Sequence, residues 1–236
     1  MGVFRFRQFC IDDSGCGMKI CSDSVLLAAW FLPPFAENAR SIIDVGAGSG
    51  VLSLLGAGVC PSAMVSGLEI DADAAACCRR NFESSPWSDR LTAVCTDFAD
   101  YTPEVAPDII ISNPPYFTTG ATATDGARAT ARHQQGLTYA SLLHKAALWL
   151  GENGHLGMVS PADFEHEIIA EAEFSGLKLR RLLRVRTSAK KAPTRLLWDF
   201  GRTDGSLCDH TLLMRDSSGN ITNEYHRMVS PYYLKV

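Results

Sequence analysis

Between Asp108 and Phe117 the chain reads DIIISNPPYF, an apolar run that stops on a polar amide, two prolines and two aromatic residues. Proline has no N–H to give a ladder, so pairing must fail at Pro114 and Pro115, leaving Asn113 at the carboxyl end of a buried strand. Asn113 Oδ1 and the Pro114 carbonyl are then two acceptors in one stiff corner, with Tyr116 and Phe117 on the loop that leaves it. Such a corner suits an exocyclic amine on a flat ring. The amine's lone pair is delocalised into the ring, and acceptors on its hydrogens draw the nitrogen toward tetrahedral geometry and free that pair. Tyr116 offers a face for stacking, worth about 1–3 kcal/mol per base. Asn113, Pro114 and Tyr116 are the candidate catalytic residues, and Phe117 lies on the substrate side. Asn-Pro-Pro is also an ordinary turn signal, so its neighbours must decide.

Those neighbours are acids and glycines. Asp44-Val45-Gly46-Ala47-Gly48-Ser49-Gly50 ends an apolar strand in a turn where any Cβ would intrude on a ligand. The spacing is G-x-G-x-G, not the G-x-G-x-x-G of a dinucleotide fingerprint, and a carboxylate before it would repel a pyrophosphate. It suits a ligand with a cationic end. Glu69 ends the next strand, 19 residues after Gly50, where an acid can accept from both ribose hydroxyls. Asp97 ends the third, placed to accept from an adenine amine, with Phe98 beside it to cover the ring. Singly, Glu69 and Asp97 read equally well as helix caps or solvated strand ends.

With DVGAGSG, GLEID, CTDF and NPPY in this order, residues 41–161 resemble the class I S-adenosylmethionine-dependent methyltransferases. That resemblance implies S-adenosyl-L-methionine as cofactor, a sulfonium cation matched to the acid-lined pocket. NPPY-type motifs serve families that methylate adenine N6, guanine N2 or a glutamine amide. The ends of the chain, FRFRQF, GCGMKICSDSVLLAAWF and YYLKV, are similar to the family that methylates adenine N6 at position 37 of tRNA1(Val). The implied activity is therefore N6-methylation of a tRNA adenine. A guanine-N2 ribosomal RNA enzyme, a glutamine-N5 protein enzyme and a cofactor-binding RNA chaperone are the alternatives. The family's usual Thr-Asp stands here as Ser22-Asp23, and the resemblance puts Lys19 and Asp23 near the methionine end of the cofactor. A capped start for the helix SVLLAAWF explains these two residues equally well. Glutamine enzymes of the release-factor type carry a helical domain before the glycine loop, for which the 43 residues ahead of Asp44 leave no room.

These residues need a scaffold, and βα alternation from Ser41 onward supplies one: a Rossmann-like, doubly wound, seven-stranded, mostly parallel α/β sheet. LKLRRLLRVR and TRLLWDFGR, joined by TSAKKAP, predict an antiparallel C-terminal pair closing it. The chain reads as one domain over residues 1–236. Residues 1–35 form a hairpin and helix extension, 41–161 the cofactor and catalytic half, and 177–236 a basic, substrate-side half. ATATDGARATARHQQ predicts a flap after NPPYF.

Composition bounds the partners. The 236 residues are 46% hydrophobic and 20% charged, without an apolar run long enough to span a membrane. MGVFRFRQFC lacks the apolar core of a secretory signal, so a cytoplasmic protein is expected, and a monomer. The eight cysteines include no C-x-x-C pair, and no metal is expected. Net charge is −4, yet residues 178–195 hold eight Lys or Arg and no acid. Arg180, Arg181 and Arg184 there, with Arg128 and Arg132 on the flap, are the candidates for holding tRNA phosphates.

Overall fold

Ile109, Ile110 and Ile111 are all fully buried, so their strand must be covered on both faces, as in a parallel sheet wrapped by helices. The computed structural model, which describes residues 2–14, 16, 20–115 and 137–235, has this architecture. An antiparallel hairpin of β1 (Val3–Arg5) and β2 (Cys10–Asp12) leads into helix α1 (Ser22–Phe31). Then come β3 (Ser41–Val45), α2 (Val51–Val59), β4 (Met64–Glu69), α3 (Ala72–Glu83), β5 (Leu91–Cys95) and β6 (Ile109–Ser112). Helix α4 (Tyr139–Trp149), β7 (His155–Pro161), α5 (Glu165–Phe174), β8 (Lys178–Arg186), β9 (Arg195–Gly201), β10 (Cys208–Leu213) and α6 (Asn223–Val229) complete the described elements.

One eight-stranded sheet in the order β10-β8-β9-β7-β6-β3-β4-β5 forms the centre. All neighbours pair in parallel except β9, which runs antiparallel to both β7 and β8. Alternation along each strand splits the core in two. Ile42, Val65, Ile109 and Ile111 face the α1–α2–α3 layer with Leu27, Leu54 and Phe82. Ile43, Leu68 and Ile110 face α4 and α5 with Leu142, Ala146 and Ile168. Helix starts follow their caps: Asp71 Oδ1 accepts from Ala74 N at 2.8 Å before α3, and Thr138 and Ser141 form a reciprocal box before α4.

The antiparallel pair β8–β9 is present, but it does not close the sheet. Strand β10 adds an eighth strand beyond β8, parallel to it, and the terminal segment folds into α6. The crossing from β9 to β10 passes the amino-terminal end of β8, where Arg180 Nη1 donates to Thr203 O at 2.6 Å, Thr203 Oγ1 at 2.8 Å and Asp204 O at 3.2 Å. The predicted flap lies outside the described residues. No helix among the described residues is long and apolar enough to cross a membrane.

One ion cluster pins the antiparallel insertion. Asp199 on β9, 1% exposed, accepts from Arg181 Nε at 2.6 Å and lies 2.7 Å from His155 Nδ1. The Arg181 guanidinium stacks 4.7 Å from the Trp30 ring centroid, so its charge is paired and its plane is packed. Asp199→Ala should therefore lower unfolding free energy by about 3–5 kcal/mol, because a paired, partly buried cation is left alone. Urea denaturation checks this, and an unchanged midpoint would mean that water already solvates the pair.

Candidate active site

After β3 the chain steps to β4 on one side, then returns to place β6 on the other, so strand order reverses between β3 and β6. In open α/β sheets the cleft beyond such a reversal, at the carboxyl ends of the strands, receives the ligand. The two strand ends are tied together there: Ser112 Oγ donates to the Val45 carbonyl at 2.7 Å, fully buried. Asp44 is level with Ile111, so the glycine loop and Asn113 leave the sheet side by side.

Asp44 is 0% exposed. Its Oδ2 accepts from Ser53 N at 2.9 Å and Ser53 Oγ at 2.7 Å, whereas its Oδ1 has no partner among the described residues. Burial pushes its pKa from 3.8 up to about 7, opposed by the Ser53 bonds and reinforced by the Glu69 charge. A buried, half-satisfied carboxyl needs a donor or a cation that the described chain does not supply.

The loop beside it is shaped for close approach. Gly46, Gly48 and Gly50 all have positive φ, at 73°, 54° and 86°. A Cβ on Gly50 would lie 2.5 Å from Phe82 Cε1, whereas one on Gly48 would meet nothing within 4 Å. Gly50 is thus needed by the fold, and Gly48 borders open space. Glu69 Oε2 accepts from Gly48 N at 2.8 Å and Oε1 from Asp71 N at 3.0 Å, leaving acceptor capacity on both oxygens. Asp97 Oδ1 accepts from Ala99 N at 2.7 Å. Three carboxylates thus end successive strands on one edge of the sheet, and as acceptors they suit a cationic ligand bearing hydroxyls and an amine.

Phe98 is placed differently from expectation. It is only 5% exposed and packs edge-on to Trp149, centroids 5.1 Å apart, so it keeps little face for a cofactor ring. Lys145 on α4 straddles both rings and donates to Phe98 O at 2.7 Å, Tyr101 O at 3.3 Å and the Ala99 carbonyl, which fixes the Asp97 turn.

Asn113 is half-buried, and its Nδ2 donates to Ser24 Oγ at 2.9 Å. Ser24 itself is buried on α1. With the amide nitrogen held on that side, Oδ1 is turned to the other. Asp23, the preceding residue, accepts from Arg195 Nε at 2.8 Å, so the start of α1 is bound to the start of β9. Lys19, Tyr116, Phe117, Arg128 and Arg132 lie outside the described residues.

The expectation that Arg180, Arg181 and Arg184 hold RNA phosphates gains no support from their placement. Arg180 and Arg181 sit toward the opposite edge of the sheet, near the start of β8, where Lys178 pairs with Gly201. Arg184 is neutralised by Glu165, with bonds of 2.6 and 2.8 Å, and by Asp209 at 3.1 Å. Ser24, Ser53 and Lys145 escaped notice in the sequence. Ser53 is the lone polar residue of the apolar helix α2, and that mismatch was a signal; Ser24 follows Ser22-Asp23 and Lys145 follows His144, so neither stood out. Among the described residues, no three His, Cys, Asp or Glu side chains are grouped to hold a metal.

A family model described as "Methyltransferase small domain" matches residues 19–181. The chain is 35% identical to the tRNA1(Val) (adenine(37)-N6)-methyltransferase of Aliivibrio fischeri, over 99% of this chain and 98% of that protein. It is 36% identical to the enzyme of the same name from Shewanella amazonensis, over 99% of each. Among solved structures it is similar to one described as a predicted O-methyltransferase from Agrobacterium tumefaciens, with TM-score 0.70, 20% identity, and coverage of 89% of this chain and 96% of that one. At that identity the last likeness concerns the fold.

The Asp44 carboxyl links ligand binding and stability to pH with opposite signs. A cationic ligand favours the carboxylate, so S-adenosyl-L-methionine affinity should fall as pH drops below about 7. The raised pKa makes a stabilising contribution to the ligand-free fold that is full below about 3.8 and is lost as pH rises through about 7. Asp44→Asn should weaken binding and flatten its pH profile between about 6 and 8. Calorimetric titration at several pH values checks it, and an undiminished pH profile in the variant would remove Asp44 from the ligand's charge balance.

Proposed function

The chain belongs to the methyltransferase small-domain family and to the tRNA1(Val) (adenine(37)-N6)-methyltransferases within it, and from that premise we propose that it methylates N6 of adenine 37 in tRNA1(Val). It is an S-adenosyl-L-methionine-dependent methyltransferase. The observation that carries the reading is the Ser24–Asn113 hydrogen bond beside the half-satisfied Asp44 carboxyl. One element then positions the acceptor of an amine and its neighbour the counter-charge of a sulfonium. We place the activity in the cytoplasm, where tRNA is available.

S-adenosyl-L-methionine, when bound, supplies an electrophilic methyl group on a cationic sulfur. The acids Asp44, Glu69 and Asp97 would hold it, with Gly46, Gly48 and Gly50 giving its path, and Lys19 and Asp23 toward its methionine end. Asn113 Oδ1 and the Pro114 carbonyl accept from the adenine amine and draw electron density back onto N6. The two prolines keep both oxygens in one orientation, so little reorganisation accompanies reaction. No strong base is required, because the amine loses its proton only after it has become cationic. Tyr116 supplies the stacking face and Phe117 borders it. An anticodon-loop adenine is already nearly unpaired, which keeps the cost of extruding it low.

Incubation with labelled donor and total tRNA, followed by nucleoside analysis, should give N6-methyladenosine as the labelled product. Label in guanosine or in protein would replace this reading. Asn113→Ala should cut turnover by about a hundredfold or more while cofactor affinity holds.

Ser24 acts on the amide and not on the substrate. Ser24→Ala should lower kcat by about tenfold with little change in the KM for tRNA, and Ser24→Thr should restore most of it. Steady-state kinetics on the pair check this, and equal losses in both variants would reduce Ser24 to a packing residue.

A further inference from the structure

A cavity of about 270 Å³ lies outside the site just described, between the first strand and the last residues. It is lined by Phe4, Tyr225, Tyr233 and Met214, with Arg215 and Lys235 at the same opening. Its volume is just under the roughly 300–1,000 Å³ of small-ligand clefts, so one planar ring system matches it better than a larger ligand. Phe4 keeps 40% of its surface exposed and stands edge-on to Tyr233, centroids 6.1 Å apart. Tyr233 in turn stacks on Phe6 at 5.8 Å and 23°, which fixes its ring.

The two cations here differ from those of β8. Arg215 spends one nitrogen on the Gly219 carbonyl at 2.8 Å and has no carboxylate partner among the described residues, and Lys235 has none either. Every arginine of β8 is engaged by carboxylates or carbonyls. Unspent positive charge beside open aromatic faces is what single-stranded nucleic acid requires.

The cavity also lies on the right edge of the sheet. Met214 N donates to Arg186 O at 2.9 Å, past the carboxyl end of β8, which runs parallel to β6. Helix α6, which carries Tyr225, packs on α1, the helix whose Ser24 holds Asn113. The cavity is therefore a neighbour of the corner that grips the target base.

We propose that this cavity receives a second nucleotide of the RNA, flanking the methylated adenine, with its base against Phe4, Tyr225 and Tyr233 and its phosphate against Arg215 and Lys235. Holding a flanking nucleotide there would keep the loop splayed while the adenine stands at Asn113. The proposal rests on the adenine-N6 reading above, and its test separates the two.

The test uses the full chain with a tRNA carrying 4-thiouridine beside the target adenine. Irradiation followed by peptide mapping should place the crosslink in the peptides bearing Tyr225 or residues 230–235. Crosslinks confined to other surfaces would overturn the proposal, whether or not any methyl group is transferred. In parallel, Phe4→Ala combined with Lys235→Ala, both at exposed positions, should raise KM for tRNA about tenfold and shrink the salt slope by about one. The affinity for S-adenosyl-L-methionine should hold. An unchanged KM and salt slope in a variant with unaltered Tm would also overturn it. Wild-type protein that labels no tRNA adenine, yet crosslinks at the tyrosines, would refute the adenine-N6 reading and leave the nucleotide site standing.

Discussion

A carboxyl group with no exposed surface and one oxygen unbonded is expensive to keep in a fold. Asp44 is kept that way because β3 must end where β6 diverges from it, and only a turn of three positive-φ glycines lets the chain leave. Ser53 satisfies one oxygen from the first turn of α2 and thereby locks the carboxyl's direction. The other oxygen has no partner among the described residues. The cost to the ligand-free protein is the same quantity that favours a cationic donor once it arrives, since burial strengthens any charge pair made there. Glu69 and Asp97 then need only be ordinary strand-end acids, each partly held by local backbone N–H groups.

The second constraint is orientation. An asparagine amide has nearly identical lobes, and an acceptor role at N6 works with only one of them facing the substrate. Ser24 holds the amide nitrogen from α1, a helix that precedes the βα alternation in sequence. The catalytic corner therefore depends on the amino-terminal extension as much as on β6. Lys145 has the same kind of role on the far side: by gathering three carbonyls of the turn after β5 it holds Asp97 at the edge.

Much of this was legible in the residues. Gly46, Gly48 and Gly50, the acids at three successive strand ends, and Asn113 before two prolines all report on local backbone geometry, which sequence encodes directly. So do the parallel strands, since Ile109–Ile111 can only belong to a sheet covered twice. What escaped depends on long-range partners. The basic run in residues 178–195 reads as an anion-binding face by count, yet Asp199, Glu165 and Asp209 come from elsewhere in the chain to meet Arg181 and Arg184. Phe98 follows an acid at a strand end, as a ring-covering aromatic would, and Trp149, more than fifty residues on, draws it inward. HTLLMRD reads as a strand from its residues, but its place as an eighth strand beyond β8 is set by long-range parallel pairing of Cys208–Leu213 with Arg181–Arg186, which the seven-strand expectation left out.

The termini bear on the active corner through one continuous path. Arg7 N donates to Tyr232 O at 2.9 Å, and Arg7 Nε donates to both Ser230 O and Tyr233 O at 2.8 Å, so the first hairpin and the last residues clasp each other. Phe6, Phe9, Tyr232 and Tyr233 pack with Val25 and Leu27 of α1 in one apolar cluster. Shifting either terminus would shift α1, and with it Ser24 relative to Asn113. A minimal domain beginning at β3 would retain every acid of the cofactor edge and lose the helix that turns the amide. That division separates binding the donor from using it. The donor edge is built within a continuous run of βα units, whereas the acceptor corner is completed only when both ends of the chain have folded onto the sheet.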